Sequence, residues 1–220
     1  MFFTIPDLLN AEDVDRVRKK ASALDWRDGK LTAGRTARQV KSNLQADLSS
    51  RAGKGLHDFL FKAVSGHDAL KAVARPKRFS RLLLSRTEDE GHYGFHVDNA
   101  IMGSGEVNVR TDLSFTLFLS NPDCYEGGAL TLSTTAGEFT AKPDAGTLVL
   151  YPSGAIHRVE PVTSGSRLAC VGWIESRIRR ADQRELLADL EALRASFSPK
   201  AEQRLVLDKS ISNLIRMWAD

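Results

Sequence analysis

The stretch Asp112-Leu113-Ser114-Phe115-Thr116-Leu117-Phe118-Leu119 alternates cleanly. Leu113, Phe115, Leu117 and Leu119 fall on one side, and Asp112, Ser114, Thr116 and Phe118 on the other. Successive side chains of a strand point to opposite faces, so this period of two predicts a β-strand with one apolar face. Turn signals follow at Asn121-Pro122-Asp123 and at Glu126-Gly127-Gly128, where positive backbone φ is expected of the glycines. Further strands fit residues 79–85, 129–133, 138–142, 146–151 and 166–174. Short strands at regular spacing, separated by turns, predict a β-sandwich or barrel over the middle of the chain.

The period changes on either side. Asn10 precedes a run with acids first, bases later, and Val14, Val17, Ala21 and Leu24 at helical spacing, which predicts a helix over 11–21. A second helix fits Ser50 to about Val64, with Leu56, Phe59, Leu60 and Val64 on one side. Residues 30–45 carry no clear period, and Gly29 and Gly34 break them. At the other end, Leu186, Leu187, Leu190, Leu193 and Phe197 make a helical stripe. Ser198-Pro199 is expected to open a final helix whose apolar side is Leu207, Ile211, Leu214, Ile215 and Trp218. The expected organisation is helical support over 1–77, a β core over 78–178 and a helical segment over 179–220. The terminal helices could pack on the core or pair with a second copy, and a homodimer is the expectation.

Composition narrows the class. With 42% hydrophobic and 27% charged residues in a chain of 220, there is enough apolar mass for a packed core. Two cysteines, Cys124 and Cys170, are too few for a disulfide scaffold or a cysteine-rich zinc module. A net charge of +3 gives no argument for nucleic acid. No apolar run approaches a membrane span, and Met1-Phe2-Phe3-Thr4-Ile5-Pro6-Asp7 lacks the basic and apolar regions of a signal peptide. A cytoplasmic protein is expected.

The chemistry rests on a few side chains. Of the five histidines, His96 is followed two residues later by Asp98, and on a strand those two share a face. His157 comes later, in Ala155-Ile156-His157-Arg158. Two imidazoles and one carboxylate form the facial ligand set of non-haem iron(II) oxygenases, which leaves coordination positions open for substrates. Arg167 stands ten positions beyond His157. If it lies on the hairpin neighbour of the His157 strand, both face one cavity. A guanidinium there is a bidentate clamp for a carboxylate. Iron beside such a clamp describes a site for 2-oxoglutarate.

The series His96-x-Asp98, His157, Arg167 resembles the Fe(II)/2-oxoglutarate-dependent dioxygenases of the prolyl 4-hydroxylase-like branch. The segments 92–100, Arg110-Thr111-Asp112-Leu113-Ser114, Tyr125 to Leu130 and Tyr151-Pro152-Ser153 resemble the bacterial PKHD-type hydroxylases, and Thr32-Ala33-Gly34 to Val40-Lys41-Ser42-Asn43 is similar to their N-terminal region. The resemblance covers nearly the whole chain. It implies a mainly β fold with flanking helices, a double-stranded β-helix (jelly-roll) core. It implies iron ligands at His96, Asp98 and His157 and a 2-oxoglutarate carboxylate partner at Arg167. The implied reaction is hydroxylation of an unidentified substrate with O2, with release of succinate and CO2. Such hydroxylases are described alongside iron or siderophore uptake, and an ascorbate requirement is attached to the wider branch.

Other residues have two readings each. Tyr93 either bonds the cosubstrate or packs at the pocket rim. Ser114 and Thr116 either line the cavity or simply follow strand alternation. Asp112 is expected to make a strand-end hydrogen bond rather than position a substrate group, and Asn99 either supports the ligands from behind or makes a turn contact. His92 is a weak candidate for a further ligand, whereas His57 and His67 are expected to be structural and Cys170 to be buried. Rival functions are a cupin-like zinc metalloenzyme, a non-catalytic jelly-roll sensor of iron or 2-oxoglutarate, and an oxidative demethylase of nucleic acid. Arg167 argues against the first, since hydrolysis does not require it.

Overall fold

The alternating stretch forms the strand Leu113–Phe118, and all six of its residues are buried. Both faces are covered, by different layers. Leu113, Phe115 and Leu117 join Val14, Val17, Leu56 and Leu60 in the core between sheet and helices. Phe118 turns the other way and packs with Leu130, Leu132, Val149 and Tyr151, between the two sheets. Ser114 and Thr116, on that same inner face, line the cavity described below. The computed structural model describes residues 2–32, 34, 37–104 and 107–220, so Ala33, Arg35 and Thr36 of the stretch 32–43 lie outside the described residues.

The larger sheet has eight strands. Its order is Phe3–Ile5, Leu148–Pro152, Leu113–Phe118, Arg167–Ser176, Leu83–Thr87, Leu44–Ala46 and Trp26–Asp28, with Pro76–Phe79 also paired to Arg167–Ser176. The smaller sheet runs Gly137–Ala141, Leu130–Thr134, Ile156–Val159, His92–His96 and Lys41–Ser42. The pairings are antiparallel, and the order departs from chain order, as the crossing connections of a jelly-roll require.

The N-terminal part therefore does more than support the core with helices. Phe3–Ile5, Trp26–Asp28 and Leu44–Ala46 extend the larger sheet, and Lys41–Ser42 closes the edge of the smaller one. The helix Ala11–Ala21 forms where expected, with the Asn10 side chain accepting from the Asp13 amide at 2.8 Å. Arg51–Gly66 follows Ser50, whose hydroxyl accepts from the Gly53 amide at 3.0 Å.

Four local expectations need correction. The strand expected over 79–85 is broken into Pro76–Phe79 and Leu83–Thr87. At the break, the Ser80 hydroxyl accepts from the Trp173 amide at 3.0 Å and so replaces a backbone partner in the ladder. His96 is the last residue of its strand, so Asp98 lies beyond it and strand parity does not bring the two together. Arg167 is not on the hairpin neighbour of the His157 strand. The strand Val162–Gly165 intervenes, paired with Tyr125–Gly127, and Arg167 opens a strand of the opposite sheet. Pro199 lies in the turn before the last helix, which starts at Glu202 and runs to Trp218. That turn is closed by the Ala201 amide donating to the Ser198 carbonyl at 3.0 Å, a connection that suits proline at its second position.

The helix Ala181–Ser196 also presents a different face from the expected stripe. Leu187 is buried, but Leu186 and Leu193 are 45% and 49% exposed. Arg184 decides the rotation: it is buried and donates to the carbonyls of Ile178 and Arg179, both at 2.7 Å. Leu187 and Ile211 then meet Ile178, with Leu190, Leu214, Ile215 and Trp218 around them.

Candidate metal centre

His96 ends one strand of the smaller sheet, and His157 sits opposite it in register on the neighbouring strand. Asp98 is brought back toward both by the loop that follows His96. The three side chains offer ligand atoms that all lie within 4.8 Å of one another, the one such His/Cys/Asp/Glu cluster among the described residues. Asp98 Oδ1 is 3.9 Å from His96 Nε2, and Oδ2 is 3.6 Å from His157 Nε2.

Both tautomers follow from the hydrogen bonds. His96 Nδ1 lies 2.8 Å from the Gly94 carbonyl and His157 Nδ1 lies 2.9 Å from the Ala155 carbonyl. A carbonyl only accepts, so each Nδ1 carries the proton and each Nε2 keeps its lone pair for the cluster. Burial pushes His96 down to about 4, helped by His157 and opposed by the Gly94 carbonyl and Asp98. His96 is thus neutral across the physiological range, the form that binds a metal. Two imidazoles and a carboxylate on one side of an open cavity fit a divalent metal such as iron(II).

The same cavity holds Arg167, 2% exposed on the first position of its strand. Its guanidinium carbon lies 4.9 Å from the Phe118 ring centroid. Among the described residues, Nε and Nη2 have no hydrogen-bond partner. Burial pushes its pKa down, with Tyr125 and Tyr151 opposing. A buried guanidinium with free donors is costly unless an anion meets it. The donor set therefore fits the far carboxylate of a dicarboxylate such as 2-oxoglutarate.

Tyr93 stacks on His96, with ring centroids 3.5 Å apart and planes at 14°. Burial pushes its phenol pKa well up, so it stays protonated. Ser114 and Thr116 both line the cavity, and Ser114 lies 2.6 Å from Asp98 Oδ2. Asp112 instead accepts from Arg110 and from the Ser176 amide, the strand-end role expected of it. Asn99 lines the cavity and its carbonyl accepts from Thr111 at 2.6 Å. His92 stays apart from the cluster, with Nδ1 3.1 Å from the Glu90 carbonyl. Gly127 and Gly128 have φ of 69° and 65°, as their turn required. Lys41 was not singled out from the sequence, yet it lines the cavity with Asn43 and Gln45. No period in the surrounding sequence marks these three residues, since Lys41–Ser42 and Leu44–Ala46 are strands of two and three residues.

The chain is similar to known proteins in sequence and in fold. Residues 82–175 match the model of the 2OG-Fe(II) oxygenase superfamily. A PKHD-type hydroxylase of Hyphomonas neptunium is 46% identical, covering 98% of both chains, and one of Synechococcus elongatus is 42% identical over the full length of both. In fold, the chain is similar to a Trichoplax adhaerens prolyl hydroxylase solved with a hypoxia inducible factor peptide, at a TM-score of 0.60 and 16% identity over 84% of this chain and 86% of that one. Fold and matched family together define an oxygenase that uses iron(II) and 2-oxoglutarate. At these identities over full length, the chain belongs to the PKHD-type hydroxylases.

Proposed function

We propose that His96, Asp98 and His157 hold the iron, that Arg167 holds the far carboxylate of 2-oxoglutarate, and that Tyr93 walls the pocket between them. The observation that carries this reading is the buried Arg167, whose Nε and Nη2 have no partner among the described residues, in one cavity with the His–Asp–His cluster. Bound iron supplies the activation of O2, with oxidative decarboxylation of 2-oxoglutarate to succinate and CO2 and transfer of one oxygen atom to a substrate C–H bond. The protein's own groups do the placing. His96 and His157 are locked in the ligating tautomer by Gly94 and Ala155. Asp98 offsets part of the metal's charge. The rings of Tyr93 and Tyr151, packed against the two imidazoles, keep water from their faces.

The test is succinate release from purified protein with Fe(II) and 2-oxoglutarate. Wild type is expected to form succinate and Asp98→Ala to form none above background. Equal succinate from both would remove Asp98 from the ligand set. Added ascorbate is expected to prolong turnover, and an unchanged time course would dismiss that role.

The reading extends to the rest of the chain. The division into 1–77, 78–178 and 179–220 is retained as one catalytic core with two supporting segments. Among the described residues no helix is long and apolar enough to cross a membrane, and a cytoplasmic enzyme is the proposed setting. Leu205, Val206 and Met217 are 73%, 57% and 73% exposed on the last helix, which favours a homodimer through that face. A single monomer boundary in sedimentation at micromolar concentration would end the homodimer.

A further inference from the structure

Lys41 is a cation that neither the metal nor the cosubstrate assignment uses. It stands on the edge strand of the smaller sheet, in register with Tyr93, and is 6% exposed. Its ammonium lies 5.0 Å from the Tyr93 ring centroid, and that ring stacks on His96. Among the described residues, the lysine ion pairs are those of Lys71 and Lys77, so no carboxylate pairs with Lys41. Its one hydrogen bond there is a long one, 3.4 Å to Thr32 Oγ1. The Thr32 hydroxyl is left as an acceptor toward it, because its own proton goes to Gln45 Oε1 at 2.7 Å or to the Gly29 carbonyl at 3.1 Å. At least two ammonium protons thus face the cavity without a strong partner. A second donor in the same cavity, Trp173 Nε1, is also buried and unpartnered.

A buried ammonium is costly unless an anion meets it. The charges already assigned do not supply one. Asp98 belongs to the metal set, one end of 2-oxoglutarate goes to the metal and the other to Arg167. We infer that Lys41 anchors a carboxylate of the prime substrate, so that the molecule hydroxylated is an organic acid or a carboxylate-bearing side chain. This rests on the ligand and clamp assignments proposed above. Lys41 brings a single ammonium, with Thr32 and Gln45 beside it and the carboxylates of Asp28 and Asp98 acting on it without a direct contact, and one positive charge matches a singly charged carboxylate. A phosphate dianion calls for several charged donors. The anchor lies beside the Tyr93–His96 stack, so a held carboxylate keeps the rest of the molecule next to the metal.

The test uses protein loaded with Mn(II), which is paramagnetic, and 2-oxoglutarate. Benzoate and its neutral amide, benzamide, serve as probes, and broadening of their proton resonances reports binding near the metal. Wild type is expected to broaden benzoate at concentrations at least tenfold below those needed for benzamide. Lys41→Met and Lys41→Gln are expected to remove that preference while 2-oxoglutarate affinity changes less than threefold; retained cosubstrate binding shows that each variant is folded. Equal broadening of the two probes by wild type overturns the proposal, and so does a preference that survives both substitutions. A tenfold loss of 2-oxoglutarate affinity in both variants assigns Lys41 to the cosubstrate and also overturns it. Failure of wild type with Mn(II) to take up 2-oxoglutarate at all would instead bring down the underlying ligand assignment, and this proposal with it.

Discussion

Ser114 and Asp98 are joined by a 2.6 Å hydrogen bond between the central strand of the larger sheet and the loop beyond His96. The carboxylate can only accept, so the single Ser114 proton goes to Asp98 Oδ2. The 2.8 Å contact between Ser114 and Ser153 is then filled by the Ser153 hydroxyl donating. The hydroxyl fixes a carboxylate that no strand ladder holds. Replacing Ser114 with Ala is expected to weaken metal binding about tenfold, in the range typical of groups that orient a ligand. Titration with Fe(II) under anaerobic conditions measures it, and wild-type affinity in the variant would show that the loop positions Asp98 unaided.

Arg167→Met separates cosubstrate binding from folding. Met keeps much of the side chain's length and removes the charge. Affinity for 2-oxoglutarate is expected to fall at least about 100-fold, the cost of losing a charge-assisted bidentate contact. Affinity for the metal alone is expected to stay near wild type. Thermal stability of the ligand-free protein is expected to hold or rise, since the variant no longer buries an unmatched guanidinium. A variant that bound 2-oxoglutarate normally would place the far carboxylate elsewhere.

The period of two over 112–119 was legible because both of its faces are buried against layers of different composition, helices on one side and a polar cavity on the other. The residues proposed for the site, His96, Asp98, His157 and Arg167, stand out in the sequence by their types and order. Their geometry does not, because it depends on pairing between distant segments. Asp98 reaches His157 from a loop, and Arg167 faces the cluster from the opposite sheet, flanked in its ladder by Leu113–Phe118 and Leu83–Thr87. Lys41 is not legible as a cavity residue, because its strand has only two residues and is too short to carry a period. The buried face of the helix Ala181–Ser196 is not legible in the sequence, because Leu186 and Leu187 are equally apolar. The choice between them is made by Arg184 reaching the Ile178 and Arg179 carbonyls.

Gly128 links the turn to the clamp. Its φ of 65° is unfavourable for any residue with a Cβ. A Cβ there would also lie 2.8 Å from Val162 Cγ2, 2.9 Å from Tyr125 Cε2 and 3.0 Å from Arg167 Cδ. Gly128→Ala is expected to cost roughly 1–3 kcal/mol of stability. It is also expected to raise the KM for 2-oxoglutarate several-fold by displacing Arg167. Urea unfolding and succinate kinetics measure the two effects. Lost stability with an unchanged KM would mean that Val162 and Tyr125, and not the clamp, absorb the clash.

Lys41 should leave a signature in the pH dependence of stability. Burial lowers its pKa to about 8, with Asp98 and Asp28 opposing, from an ordinary 10.5. Below pH 8 the lysine is protonated in both the folded and unfolded chain, and the cost of burying its charge is present in full. Between pH 8 and 10.5 the folded form sheds the proton while the unfolded form keeps it. The unfolded state then binds more protons, so stability rises with pH across that window. In metal-free protein, Lys41→Met is therefore expected to be more stable than wild type at pH 7, by on the order of 3 kcal/mol. The advantage should shrink steadily as pH rises toward 10.5. Urea unfolding of both proteins at one-unit intervals from pH 7 to 10 measures the difference, and the other titrating groups cancel between them. A difference that stays constant with pH would mean that the folded lysine keeps its ordinary proton affinity and that the ammonium is better solvated than its burial implies.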